Sequence, residues 1–178
     1  MQITARVSPQ KMKLIALRGA QMLQENMDAG IDEDGKPFAP YSTNTFARPL
    51  GGIPKRAREL LDGAGKLTEF TAKSSGKLWA LIEGGYKALK EAMYPGESDV
   101  VNFLASGRTR KALRTTFVGE NAATLGYSTE EAAKIMYYLT IAGAGKGRTI
   151  RKLGWTKAQQ EELAQMAAEN IDISDFIL

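Results

Sequence analysis

The stretch ITARVSPQKMKLIALRGAQMLQENMDAG, Ile3 to Gly30, changes its apolar period part-way along, and that change sets the fold class. From Ile3 to Val7 apolar and polar residues alternate, the spacing of a short half-buried strand. Ser8 and Pro9 then read as a helix start. Serine accepts a backbone N–H at the N-cap, and proline at the first helical position gives up a bond that goes unmade there anyway. Met12, Ile15, Ala16, Gly19, Met22, Leu23 and Met27 follow at steps of three and four. They form one apolar face of a long helix that Gly30 ends. The methionines on that face read as core packing.

Beyond this helix, Asp34-Gly35 marks a tight turn, and Pro37 and Pro40 force extended backbone around Phe38. Asp32-Glu33-Asp34 is no calcium loop, because the alternating ligands and closing glutamate of an EF-hand are missing. Ser42 to Phe46 reads as a short capped helical turn, Arg48 to Gly52 as a loop, and Pro54 to Leu61 as a helix. Asp62 to Gly76 is rich in Gly, Ser, Thr and Lys and has no assignable period. Leu78 to Ile82 reads as a buried strand, and Tyr86 to Met93 as a helix stopped by Pro95-Gly96.

Apolar character resumes from Val100 to Leu104, and Ser106-Gly107 turns the chain. Leu113, Thr115 and Phe117 alternate with Arg114, Thr116 and Val118. With a turn near Gly119-Glu120-Asn121 and the return of Ala123, Leu125 and Tyr127, this predicts a hairpin. Ser128-Thr129-Glu130-Glu131 reads as a capping box opening a helix with Ala132, Ile135, Met136 and Leu139 on one face. Thr156-Lys157-Ala158-Gln159 reads as a second box, opening a helix that runs through Glu169.

Strands and helices alternate without the regular spacing of βαβ units, so the expected fold is α+β. It is a single small domain in which the long amphipathic helix and further helices pack on a mostly antiparallel sheet. The domain runs over residues 1–170, with a flexible insertion around 49–76 and a C-terminal tail at 171–178 whose end, Phe176-Ile177-Leu178, is apolar.

Composition narrows the chemistry. The 178 residues contain neither cysteine nor histidine. Thiolate sites, disulfides, catalytic triads that use an imidazole and the commonest metal ligand are therefore outside its means. No apolar run reaches the roughly 18–20 residues that span a bilayer. The first residues lack the basic and apolar regions of a secretory signal, so synthesis in a cytoplasm is the expectation. No cofactor, metal site or enzymatic activity is expected.

Gly143-Ala144-Gly145-Lys146 invites comparison with a phosphate-binding loop. However, Thr140 stands where its first glycine belongs, Gly147 stands where the magnesium-binding hydroxyl belongs, and the segment follows a helix rather than a strand. The carboxylates Asp32, Glu33 and Asp34 lie in a turn, and Glu161 and Glu162 on a helix surface, which does not suggest a catalytic pair.

Charge is unevenly placed. Between Arg108 and Lys157 there are ten Lys/Arg against three Asp/Glu, whereas after Lys157 there are five acidic residues and no basic one. Arg108, Arg110, Lys111 and Arg114, with Lys146, Arg148, Arg151 and Lys152, are the candidate partner-facing or DNA-facing cations. They read first as a solvated surface with structural ion pairs, next as a subunit or partner contact and last as phosphate contacts. Glu161, Glu162 and Glu169, with Phe176, Ile177 and Leu178, are the candidate acidic and apolar counterpart. A chain with opposed charge in separate places can pair head to tail with its own kind.

Several segments, taken in order, resemble the phage virion morphogenesis (tail-completion) proteins. An opening amphipathic helix leads to Asp-x-x-Gly-x-x-(aromatic)-x-Pro-(Leu-like)-Ser, whose places are held here by Asp32, Gly35, Phe38, Pro40 and Ser42. Gly85-Tyr86-Lys87-Ala88-Leu89-Lys90-Glu91-Ala92 is similar to a second family segment, and Leu104-Ala105-Ser106-Gly107-Arg108 to its Thr/Ser-Gly-Arg turn. Arg148 to Thr156 resembles its closing Arg-x-x-(apolar)-Gly-(Leu)-(Ser/Thr) segment. Tyr41 and Trp155 stand where the family more often has aliphatic residues.

The resemblance spans about Ile3 to Ala168. It implies a structural subunit of the virion neck or head-proximal tail, made in the host bacterial cytoplasm and carrying no catalytic residues. It also implies a homo-oligomeric ring, a hexamer or else a dodecamer. Connector or portal-side proteins would lie on one side and tail terminator or tube proteins on the other, with non-specific contact to DNA in the channel and none to membrane. The alternative reading is a soluble DNA-binding or packaging accessory factor.

Overall fold

In the computed structural model, Arg6 and Val7 form β1, and Ser8 turns the chain into α1 (Pro9–Ala29). The structure describes residues 6–96, 101, 108–119, 122–142 and 151–172. Helix α1 is built as its ends predict. The Ser8 side chain accepts from the Lys11 N–H, and Gly30 at φ 69° takes the left-handed cap, its N–H donating to the Asn26 carbonyl. Met22 and Met27 have no exposed surface, so the methionine face is core.

The chain is α+β and folds as two compact units, one of Met1–Phe38 with Asn102–Leu178 and one of Ala39–Val101. The second unit opens with β2 (Phe46–Pro49), a 3-10 turn at Leu50–Gly52 and α2 (Lys55–Gly63). It continues with β3 (Leu67–Thr71), β4 (Leu78–Ile82) and α3 (Gly85–Met93). Its three strands pair antiparallel in the order β2-β4-β3. Ala80 and Ile82 of β4 point into a core with Leu50, Ile53, Ala57, Leu61, Leu89 and Ala92.

Two readings of this unit change. Ser42 to Phe46 is not a helical turn; Phe46 begins a strand that pairs with Ile82. The stretch around 49–76, expected as a flexible insertion, contains the 3-10 turn, α2 and β3. Its composition hid β3, whose residues are nearly all exposed at the sheet edge and show no apolar alternation.

The first unit continues with α4 (Arg108–Ala112), the hairpin of β5 (Leu113–Val118) and β6 (Ala123–Tyr127), and α5 (Glu130–Thr140). It closes with α6 (Lys157–Ala168) and β7 (Ile171–Asp172). Beta strand pairing is antiparallel throughout the described residues, but it is shared among three small sheets rather than gathered in one. The start of the expected tail is strand: Val7 pairs with Ile171 and Arg6 with Asp172.

A bulge between Thr115 and Phe117 shifts the hairpin register. One extra residue inverts the alternation beyond it. Phe117 is therefore exposed, while Val118, read from sequence as facing the other way, is half-buried opposite Ala123. Helix α5 starts at an N-cap Thr129 that accepts from Ala132, so no Ser128 capping box forms. The box at Thr156 and Gln159 is complete in both directions.

Candidate functional site

Of the segments that carry the resemblance, Leu104 to Gly107 and Arg148 to Ile150 lie outside the described residues, and the described ones meet in pairs. In the first unit, Asp32 Oδ1 accepts from the backbone N–H groups of Asp34 and Lys36, folding the turn around Gly35 at φ 75°. The Phe38 N–H donates to the Gly30 carbonyl, and the Phe38 ring is buried. This turn reaches the closing segment, because the Glu33 N–H donates to the Lys152 carbonyl at 2.9 Å. Below it, buried Asn26 of α1 donates to the Gly154 carbonyl and to Gln159 Oε1, each at 2.8 Å. Gln159 returns a bond to Asn26 Oδ1 at 2.9 Å.

In the second unit, the Ser42 carbonyl accepts from the Lys87 N–H at the start of α3. Gly84 has no side chain with which to cap that helix, so a backbone carbonyl from a distant strand-like segment does so. Tyr41 packs against Tyr86 at a tilt, with ring centroids 5.3 Å apart, and receives a 2.8 Å hydrogen bond from the buried Lys90 ammonium.

Both departures from the family pattern thus acquire a reason. Tyr41 supplies an oxygen to a buried lysine. The Trp155 indole N–H donates to the Gly19 carbonyl of α1 at 2.8 Å, and the missing side chain of Gly19 leaves room for the ring. An aliphatic residue at either place offers no polar handle.

Among the described residues, two of the predicted charged residues are paired within the fold. Arg110 pairs with Asp28 of α1 at 2.8 Å, and Glu162 with Arg18 of α1 at 2.7 Å. Hydrogen bonding to Glu162, opposed by desolvation, leaves the Arg18 guanidinium holding its proton more firmly than usual. These two members of the expected interface are engaged inside the fold. Glu161 lies 3.9 Å from Lys157 one turn away, and Glu169 accepts from Gln165. Lys111 and Arg114 are exposed, Lys152 is exposed beside half-buried Arg151, and Arg108 begins α4. Lys146, Arg148, Phe176, Ile177 and Leu178, like the Gly143–Lys146 loop, lie outside the described residues.

Among the described residues no three His, Cys, Asp or Glu side chains are grouped to hold a metal, and no helix is long and apolar enough to cross a membrane. A cleft of about 310 Å³ between α4 and α5 has Glu131 as its one lining carboxylate, beside Thr109, Lys111, Ser128 and Thr129.

Burial pushes the Tyr127 phenol up to about 12. The neutral form is favoured in the fold, whereas the unfolded chain ionises near the ordinary tyrosine value of about 10. Stability is therefore intact below pH 10 and falls as pH rises from about 10 towards 12. Thermal unfolding followed between pH 8 and 11.5 is expected to show a steeper fall above pH 10 in the wild type than in Tyr127→Phe. Equal slopes would mean that Tyr127 is not linked to folding.

Sequence reasoning missed the exposed apolar residues. It placed Ile135 with the buried face of α5, yet Ala132 and Met136 are the buried residues and Ile135, Tyr137, Tyr138 and Ile141 are exposed. On α1, Leu14 and Leu17 lie opposite the core face and are also exposed. The available signal was an excess of large apolar residues beyond the single stripe a core-facing helix needs. Comparison with protein-family models, with curated proteins and with solved structures gives no match to this chain.

Proposed function

We propose that this chain is a structural subunit of a tailed-phage particle, forming a ring at the junction of head and tail. The observation that carries the reading is the pairwise convergence of the resembling segments. Asp32–Phe38 meets Lys152–Thr156 in one unit, and Tyr41–Ser42 meets Gly85–Lys90 in the other. Residues far apart in the chain are spent on holding turns and helix starts, as an architectural signature would be, through backbone carbonyls and amides and through the Tyr41 contacts with Tyr86 and Lys90. The exposed apolar side chains of α1 and α5 supply surface that a lone subunit leaves in water.

Light scattering on the purified chain tests this. The expected result is a closed assembly whose mass is a fixed multiple of the 19.4 kDa chain, six- or twelvefold, unchanged on dilution across a tenfold range. A monomer at every concentration, or a label on this chain found away from the neck in imaged particles, would remove the reading.

A further inference from the structure

Two helices of the first unit present apolar residues to solvent with the same spacing. Along α1, Gln10, Leu14, Leu17 and Gln21 follow at steps of four, three and four, all exposed, with Leu14 at 62%. Along α5, Glu131, Ile135 and Tyr138 repeat the steps of four and three, with Ile141 one further turn on and Tyr138 at 59% exposure. Residues so spaced share one side of a helix, and two such sides interlock when helices pack at a shallow angle.

We infer that α1 of one copy packs against α5 of the next, an assignment that rests on the ring reading above and names its contact. A closed ring is built from heterologous contacts, so each subunit needs two different surfaces that fit one another. These two differ in charge. The first half of α1 carries Lys11, Lys13 and Arg18 and no acid, whereas the first turn of α5 carries Glu130, which pairs with Lys134 at 2.6 Å, and Glu131.

Packing α1 on its own copy would bring lysines together. Packing α5 in parallel on its own copy would bring glutamates together. The cross-pairing sets unlike charges beside the two leucines on one side and Ile135 and Tyr138 on the other. Complementary charge at the rim of an apolar contact selects register and partner more than it adds affinity.

Because the contact is heterologous, it can be tested by mixing. Leu14→Asp spoils the α1 surface and leaves α5 intact, and Tyr138→Asp does the reverse. Both positions are more than half exposed, so the fold is retained, which circular dichroism checks. Each variant alone is expected to be a monomer, at least tenfold weaker in self-association than the wild type. An equimolar mixture is expected to form dimers of about twice 19.4 kDa and nothing larger, since one intact contact remains per pair.

A milder pair gives an independent reading: Lys13→Glu and Glu131→Lys each weaken assembly, and the two changes combined in one chain restore it. If the wild type assembles and the aspartate variants assemble equally well, the α1–α5 contact is wrong while the ring stands. If either variant dimerises by itself, its intact surface contacts its own kind, and if the variants and their mixture all stay monomeric, the two surfaces do not meet; either result overturns the assignment. A wild type that never assembles removes the ring reading and this contact with it.

Discussion

Replacing Gly85 by alanine is expected to remove most of the stability of the Ala39–Val101 unit. Gly85 stands at φ 67°, and a Cβ there would collide with the Ser42 carbonyl oxygen and lie 2.6 Å from the Thr43 carbonyl carbon. Backbone atoms cannot swing aside as a flexible side chain can. The same carbonyl accepts from Lys87 at the start of α3, so moving it also opens the cap of that helix. Left-handed backbone costs a residue with a side chain about 1–2 kcal/mol, and overpacking a tight site adds about 1–3 kcal/mol. A loss of about 4 kcal/mol is a large part of the stability of a unit this size, at roughly 0.1 kcal/mol per residue.

Two neighbours serve as controls. Gly84→Ala meets only the Ala88 methyl at 3.1 Å and suffers the left-handed backbone at φ 75° alone, and Gly51→Ala opens on free space. The expected order of loss is Gly85 far above Gly84, with Gly51 near zero. Hydrogen exchange of β2, β3 and β4 reads it directly. Retained protection of those strands in Gly85→Ala would show that Ser42 does not press on α3 as described.

Asn26→Ala should give the second largest loss. Asn26 is 2% exposed and exchanges three hydrogen bonds with Gly154 and Gln159. Truncation leaves the Gly154 carbonyl and part of the Gln159 amide buried without these partners, at about 1–3 kcal/mol for each group stranded. A total of about 3 kcal/mol corresponds to a fall in melting temperature on the order of 10 °C for a chain of this length. Gln159→Ala strands the other side of the same bonds, so the double variant should lose much less than the two single losses added. Additive losses, or a melting temperature within 2 °C of wild type for Asn26→Ala, would exclude this network as a tie between α1 and α6.

Both predictions concern residues that no local pattern singles out. Asn26 reads in sequence as one polar position on a helix, and Gly85 as one of several glycines closing a strand. The candidate interface shows the same division. Glu162 and Arg110 were legible as charges, but their partners Arg18 and Asp28 lie 144 and 82 positions away along the chain, and nothing near either residue announces them. Likewise Ile135 fits an apolar face by spacing, and only its packing reveals that the face is turned to solvent.

What the amino-acid order settled by itself is whatever short-range physics decides. Ser8, Pro9 and Gly30 bound α1, Thr156 and Gln159 open α6, and the step of three and four picks out Met22 and Met27 as core, because caps and helical faces depend on residues within a turn of one another. Tertiary structure decided where strands lacking their own pattern pair, as Phe46–Pro49 and Leu67–Thr71 do on either side of Leu78–Ile82. It also decided which way Phe117 points after the bulge and which carbonyl caps α3. Those outcomes depend on register between distant segments, where the balance is struck by packing and backbone hydrogen bonding across the fold rather than by the preference of any one residue.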